Sequence, residues 1–109
     1  MKVSDIIDLT NSAIVTNDKY EDKCVTGCYI GDLLSNVMGK AKEGDAWITI
    51  MSNINIVAVA SLTEAACIIL CEGTNVDADV ISKANSKGII ILKSEMSAYE
   101  IAKKLAAVI

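Results

Sequence analysis

Three short polar segments each border an apolar run: Thr26-Gly27, Ser52-Asn53-Ile54-Asn55 and Glu72-Gly73-Thr74. They supply hydroxyls, carboxamides, a carboxylate and glycine amides, which suits holding a small polar ligand better than breaking a bond. Four cysteines are the other chemically able set, in two pairs with three residues between the members, Cys24 with Cys28 and Cys67 with Cys71. On a strand, residues four apart are separated by roughly 13 Å, too far for a shared metal or a disulfide. Cys67 and Cys71 therefore read as buried, reduced thiols. Cys24 and Cys28 approach each other only on a turn. A metal or iron–sulfur site of Cys24, Cys28 and Cys71 would lack the tight two-residue spacing such sites use. No metal and no cofactor is expected.

The chain has no histidine, and all ten of its basic residues are lysines. That removes the commonest general base and metal ligand, and the bidentate guanidinium fork that phosphate and base readers favour. With a net charge of −4 and a pI near 4.6, nucleic acid and membrane surfaces are excluded as partners. The most apolar window, Ile54 to Leu70, is interrupted by Asn55, Ser61, Thr63 and Glu64 and falls short of the roughly twenty apolar residues that span a bilayer. Asp5 and Asp8 break up any leader-like run behind Lys2. A soluble, cytoplasmic protein is expected. A chain of 109 residues fits one domain, 1–109, able to bury a core without staples. Its 52% hydrophobic content and mean hydropathy of +0.42 are high for that size, so a homodimer covering exposed apolar surface is expected.

The elements that must position these residues alternate. Ser4 is placed to cap a helix over Asp5 to Leu9, followed by a short strand from Ser12 to Thr16 and a polar loop from Asn17 to Lys23. After an extended piece, Cys24 to Tyr29, Asp32 is placed to cap a helix in which Leu33, Leu34, Val37, Met38 and Ala41 recur at three-to-four spacing. Ala46 to Ile50 reads as a strand, Ile56 to Ala65 as a helix and Cys67 to Cys71 as a wholly apolar strand of the kind buried on both faces. Asp77 caps a helix ended by Lys87-Gly88, and Ile89 to Leu92 is another apolar strand. Ser97-Ala98-Tyr99-Glu100 is a capping box for a last helix with Ile101, Leu105 and Val108 inward. This alternation predicts a three-layer α/β/α fold with a mostly parallel sheet of four to five strands.

The run Val25-Thr-Gly-Cys-Tyr-Ile-Gly-Asp-Leu-Leu, then Gly44-Asp45-Ala-Trp-Ile-Thr-Ile, then Asn55-Ile-Val-Ala-Val-Ala-Ser, resembles a stand-alone DRTGG domain from about Val3 to Leu105. The fold also resembles the non-catalytic amino-terminal domain of bacterial HPr kinase. The phosphate-holding loop of a kinase is missing, because Gly39-Lys40 is followed by Ala41, and Leu34 stands at the place of the first glycine. The family's Asp-Arg pair is replaced by Ser52-Asn53-Ile54-Asn55, and its Thr-Gly-Gly by Cys71-Glu72-Gly73. The resemblance implies a regulatory module, not an enzyme, with an adenine nucleotide as the implied ligand. The alternative is a protein-interaction subunit docking on a larger metabolic or redox enzyme.

In an open parallel sheet, ligands settle outside the carboxyl ends of the strands. Thr26, Gly27, Ser52, Asn53, Asn55, Glu72, Gly73 and Thr74 are expected to gather there as the ligand-binding set. The plainer reading is that Asn53, Asn55 and Asp32 cap helices and that Gly27 and Gly73 only make turns. Asp77, Asp79 and Glu72 complement a helix dipole more simply than they bind a cation. Trp47 and Tyr99 read as core or dimer-contact residues, with base stacking as the alternative for the indole.

Overall fold

The computed structural model describes all 109 residues. In chain order its elements are α1 (Val3–Leu9), β1 (Ala13–Ile14), β2 (Gly27–Ile30), α2 (Leu34–Lys40), β3 (Asp45–Thr49), α3 (Asn55–Thr63), β4 (Cys67–Leu70), α4 (Ala78–Lys87), β5 (Ile91–Lys93) and α5 (Ala98–Ala106). The five strands form one sheet in the order β1-β5-β4-β3-β2. The pairings from β2 to β5 are parallel, and β1 adds antiparallel to β5.

This order dictates the layers. Each of α2, α3 and α4 connects a strand to its immediate parallel neighbour, and right-handed crossovers in one direction place all three helices on the same face. There they enclose Trp47, Ile68, Leu70 and Ile91 together with Val37, Ile56, Val57, Val80 and Ala84. The opposite face, lined by Ala46, Ile48, Cys67 and Ile69, is covered by Val3 and Ile6 of α1 and by Ile101 and Leu105 of α5. The result is an α/β/α sandwich. Every residue of β3 and β4 is buried, as the apolar run in β4 predicts.

Some local expectations need correction. Leu33 and Met38 do not belong to a buried helix face. They are 62% and 47% exposed, because α2 covers the sheet margin and presses only Val37 fully inward. Val108 lies beyond α5 and is exposed. Ser4 is inside α1, and its N–H and hydroxyl donate to Asp22 at 2.9 and 2.6 Å, tying the helix to the loop ahead of β2. Trp47 is wholly buried, and its Nε1–H donates to the Gly31 carbonyl at 2.9 Å, so the indole face is unavailable to a base. Tyr99 is 74% exposed and takes no part in the core. The capping box stands as read: the Glu100 N–H donates to Ser97 Oγ and the Ser97 N–H to Glu100 Oε1, both at 3.2 Å.

Candidate functional site

The expected ligand set divides between two rims of the sheet. Ser52, Asn53 and Asn55 follow β3, and Glu72, Gly73 and Thr74 follow β4, so these six share the carboxyl rim. Thr26 and Gly27 do not join them. They begin β2, where the Thr26 N–H donates to the Gly44 carbonyl at 3.0 Å ahead of β3, and so lie on the amino rim. The physical reason is strand direction: β2 runs parallel to β3, so the segment entering it sits at the opposite end from the segment leaving β3. The residues that leave β2 are Gly31 and Asp32. Asp32 does not cap α2. Its Oδ1 accepts from the Thr49 hydroxyl at 2.7 Å and from the Ile50 N–H at 3.0 Å, joining the turns after β2 and β3.

A sheet of this kind opens a crevice where neighbouring strands send their helices to opposite faces. That occurs between β4, which feeds α4, and β5, which feeds α5. Here the crevice is stitched shut. The Glu72 N–H donates to the Met96 carbonyl and the Gly73 N–H to the Ser94 carbonyl, both at 2.8 Å. Buried Ser94 adds a bond from its hydroxyl to the Thr10 carbonyl at 2.8 Å. The Thr74 N–H and hydroxyl turn back to the Cys71 carbonyl. Glu72 and Gly73 adopt left-handed backbone at φ 56° and 67°. Gly73 lies so close under the Glu95 carboxylate that an added Cβ would stand 2.7 Å from both of its oxygens. The donors of Glu72, Gly73 and Thr74 are thus engaged by the protein, whereas the Ser52 hydroxyl, the Asn53 and Asn55 carboxamide N–H groups and the main-chain N–H groups of Ser52, Asn53 and Ile54 donate to nothing within the chain. Asn53 is engaged through its acceptor: its Oδ1 accepts from the Asn55 N–H at 2.9 Å at the start of α3, so capping describes it best.

What the rim does present is apolar and acidic. Leu33, Ile50 and Ile54 are exposed on the turns after β2 and β3, where Asp32 lies, and Glu72 and Glu95 follow β4 and β5 along the same rim. Their signal in the sequence was an isoleucine or leucine interrupting each polar turn.

The cysteines are dispersed. Cys24 precedes β2 at the amino rim and Cys71 ends β4 at the carboxyl rim. Cys28 and Cys67 share a face but are separated by Ala46 of β3, about two strand spacings or roughly 9.6 Å. Burial pushes the Cys67 thiol up to about 12. Burial, reinforced by Asp45, pushes Cys28 up to about 11. Both are held protonated at neutral pH, but only Cys67 is also shielded from reagents, since Cys28 lies exposed on the outermost strand.

The surface hollows leave the crevice between β4 and β5 aside. A groove of about 580 Å³ runs between α3 and α4, lined by Ile54 and Asn55 of the carboxyl rim and continuing past Ala58, Leu62, Lys83 and Lys87. A second, of about 440 Å³, lies between β2 and α5 and is lined entirely by apolar or thiol side chains.

A sheet crevice closed by main-chain hydrogen bonds, with exposed apolar and acidic side chains on the turns around it, belongs to a small three-layer α/β domain. A model of the DRTGG domain matches residues 5–108, and the chain belongs to the DRTGG domain family. Among solved structures it is similar to the CBS and DRTGG domains of the regulatory region of a Clostridium perfringens pyrophosphatase, complexed with its activator diadenosine tetraphosphate. The TM-score is 0.73 at 13% identity, over 94% of this chain and 45% of that one, a likeness of fold. The chain thus spans under half of that neighbour's length. A comparison with curated proteins finds no match. No helix is long and apolar enough to cross a membrane.

Proposed function

We propose that this DRTGG-family chain is a cytoplasmic, non-catalytic regulatory module, homodimeric, that acts by docking on a larger metabolic or redox enzyme. One observation carries the reading: the crevice between β4 and β5 has spent the main-chain donors of Glu72, Gly73 and Thr74 internally, and the turns beside it offer exposed Leu33, Ile50 and Ile54. An apolar patch edged by carboxylates suits a protein surface better than a phosphate, which needs free donors or cations. The test is affinity capture from source lysate with wild type and a Leu33→Asp/Ile54→Asp double variant. Both side chains are exposed, so the variant keeps its melting temperature. Wild type retains one stoichiometric protein and the variant releases it; a variant that retains the same protein overturns the rim as the docking face.

Adenine-nucleotide sensing is the second reading, supported by the diadenosine tetraphosphate bound to the pyrophosphatase regulatory region. In this chain Ser52, Asn53, Asn55, Glu72, Gly73 and Thr74 would form the site, after displacement of Glu95. Native-state binding raises melting temperature by mass action. A shift with millimolar AMP or diadenosine tetraphosphate that Asn53→Ala removes supports sensing, and an unmoved melting curve ends it.

A further inference from the structure

The sheet has one long open margin. β2 is its last strand, and its main chain is unpaired on the outer side. The Gly31 N–H donates to the Ile48 carbonyl at 3.2 Å, and main-chain direction alternates along a strand. Gly31 and Tyr29 therefore face β3, while the N–H and C=O groups of Cys28 and Ile30 point outward. Natural sheet margins carry lysine, proline or a covering element to prevent pairing. The sequence here is Gly-Cys-Tyr-Ile, with neither lysine nor proline, and α2 packs Val37 against a face of the sheet without pairing with the outer main chain of β2. Ile30 is 49% exposed, and the apolar groove beside it continues onto Ala106 and Ile109.

We propose that the β2 margin pairs antiparallel with β2 of a second copy about a two-fold axis through Tyr29, joining two five-stranded sheets into one of ten. The inference rests on the homodimeric part of the proposed function and names its interface.

The register follows from the main chain. Setting Cys28 against Ile30 of the second copy matches outward-facing residues with each other and makes four inter-copy hydrogen bonds. Setting Cys28 against itself makes two and pairs Ile30 with Thr26, whose N–H is already given to Gly44. In the favoured register each Tyr29 has glycines, Gly27 and Gly31, as its diagonal neighbours across the seam. These leave room for two rings side by side; Tyr29 already leans over its own Gly31, where an added Cβ would stand 2.9 Å from its Cε2.

Charge agrees with the same register. It places Asp32 of one copy opposite Thr26 of the other, at the hollow that Thr26 and Gly27 share with Lys40 and Lys42. Two carboxylates also line that hollow: Asp45 is buried and engaged by the Lys42 N–H at 2.8 Å, and Glu43 is exposed, so the two lysines there attract Asp32 against one free native carboxylate. Only Oδ1 of Asp32 carries its bonds to Thr49 and Ile50, leaving Oδ2 for a lysine of the second copy. By symmetry this attraction occurs twice.

The test combines light scattering with cross-linking. Wild type should have about twice the 11.6 kDa chain mass. Ile30→Lys, at an exposed position, should raise the dimer dissociation constant at least tenfold without changing the circular dichroism spectrum. Tyr29→Cys in a Cys24→Ser/Cys28→Ser background places two thiols on the axis in a non-hydrogen-bonded pair, within disulfide reach, and should form a covalent dimer under mild oxidation. A dimer that neither cross-links at position 29 nor responds to Ile30→Lys overturns this interface and leaves the homodimer standing. A monomer in wild type overturns both.

Discussion

Glu95 lies over Gly73, its carboxylate occupying the space that a side chain at position 73 would need. The turn after β4 is thereby matched to the turn after β5. Gly73→Ala meets two penalties, a left-handed φ of 67° and the Glu95 oxygens. The backbone part costs about 1–2 kcal/mol, or roughly 4 to 10 °C in melting temperature. Adding Glu95→Ala recovers only the steric part. A double variant melting at the wild-type temperature would show that the backbone carries no strain there.

Thr49 is buried and is bonded through its hydroxyl to Asp32 and from the Met51 N–H. Thr49→Val removes both bonds and loosens the join between the turns after β2 and β3. A loss of about 1–2 kcal/mol in urea unfolding is expected. Asp32→Ala also removes two bonds, those from the Thr49 hydroxyl and the Ile50 N–H, and should cost a similar amount.

The capping box of α5 gives a third prediction. Ser97→Ala strips the acceptor from the Glu100 N–H and should cost about 1 kcal/mol. Since α5 supplies Ile101 and Leu105 to the core, the loss should appear in global unfolding rather than as local fraying.

Two thiols with raised pKa weaken the fold at alkaline pH, buried Cys67 chiefly and Cys28, which is exposed, to a smaller degree. Cys67 and Cys28 hold their protons up to about 12 and about 11, whereas an unfolded chain releases them near 9. The folded state binds more protons in that window, so their contribution to stability is complete below about pH 9 and is lost as pH rises through 11 to 12. Cys67→Ala should flatten the fall in melting temperature above pH 9, despite lowering it at pH 7. At pH 8, Ellman's reagent should react first at exposed Cys24 and last at Cys67.

Much of this architecture was legible in the residues. The uninterrupted run Cys67-Ile-Ile-Leu has no polar face, so it could only be a central strand, and Ser97 with Glu100 marked a helix start by chemistry alone. The layer order also followed from strands and helices alternating. The site was less legible because a rim is a three-dimensional property. Thr26-Gly27 resembles a turn whether it enters or leaves a strand, and only the length of β2 decides which. Asp32 sits where a cap should be, yet its stronger option was the buried hydroxyl of Thr49, a partner 17 residues away. Gly73 reads from sequence either as part of a ligand site or as a turn former, and its left-handed backbone fits the turn, but no local pattern reveals that Ser94 and Glu95 come to lie against it.

The main-chain bonds from Glu72 and Gly73 to the turn after β5 make two surface loops mechanically one plate. Their amides should exchange with deuterium as slowly as those of interior strands, although water touches them. A partner approaching this end meets a fixed relief, so substitutions there would rewrite its lettering without bending the page.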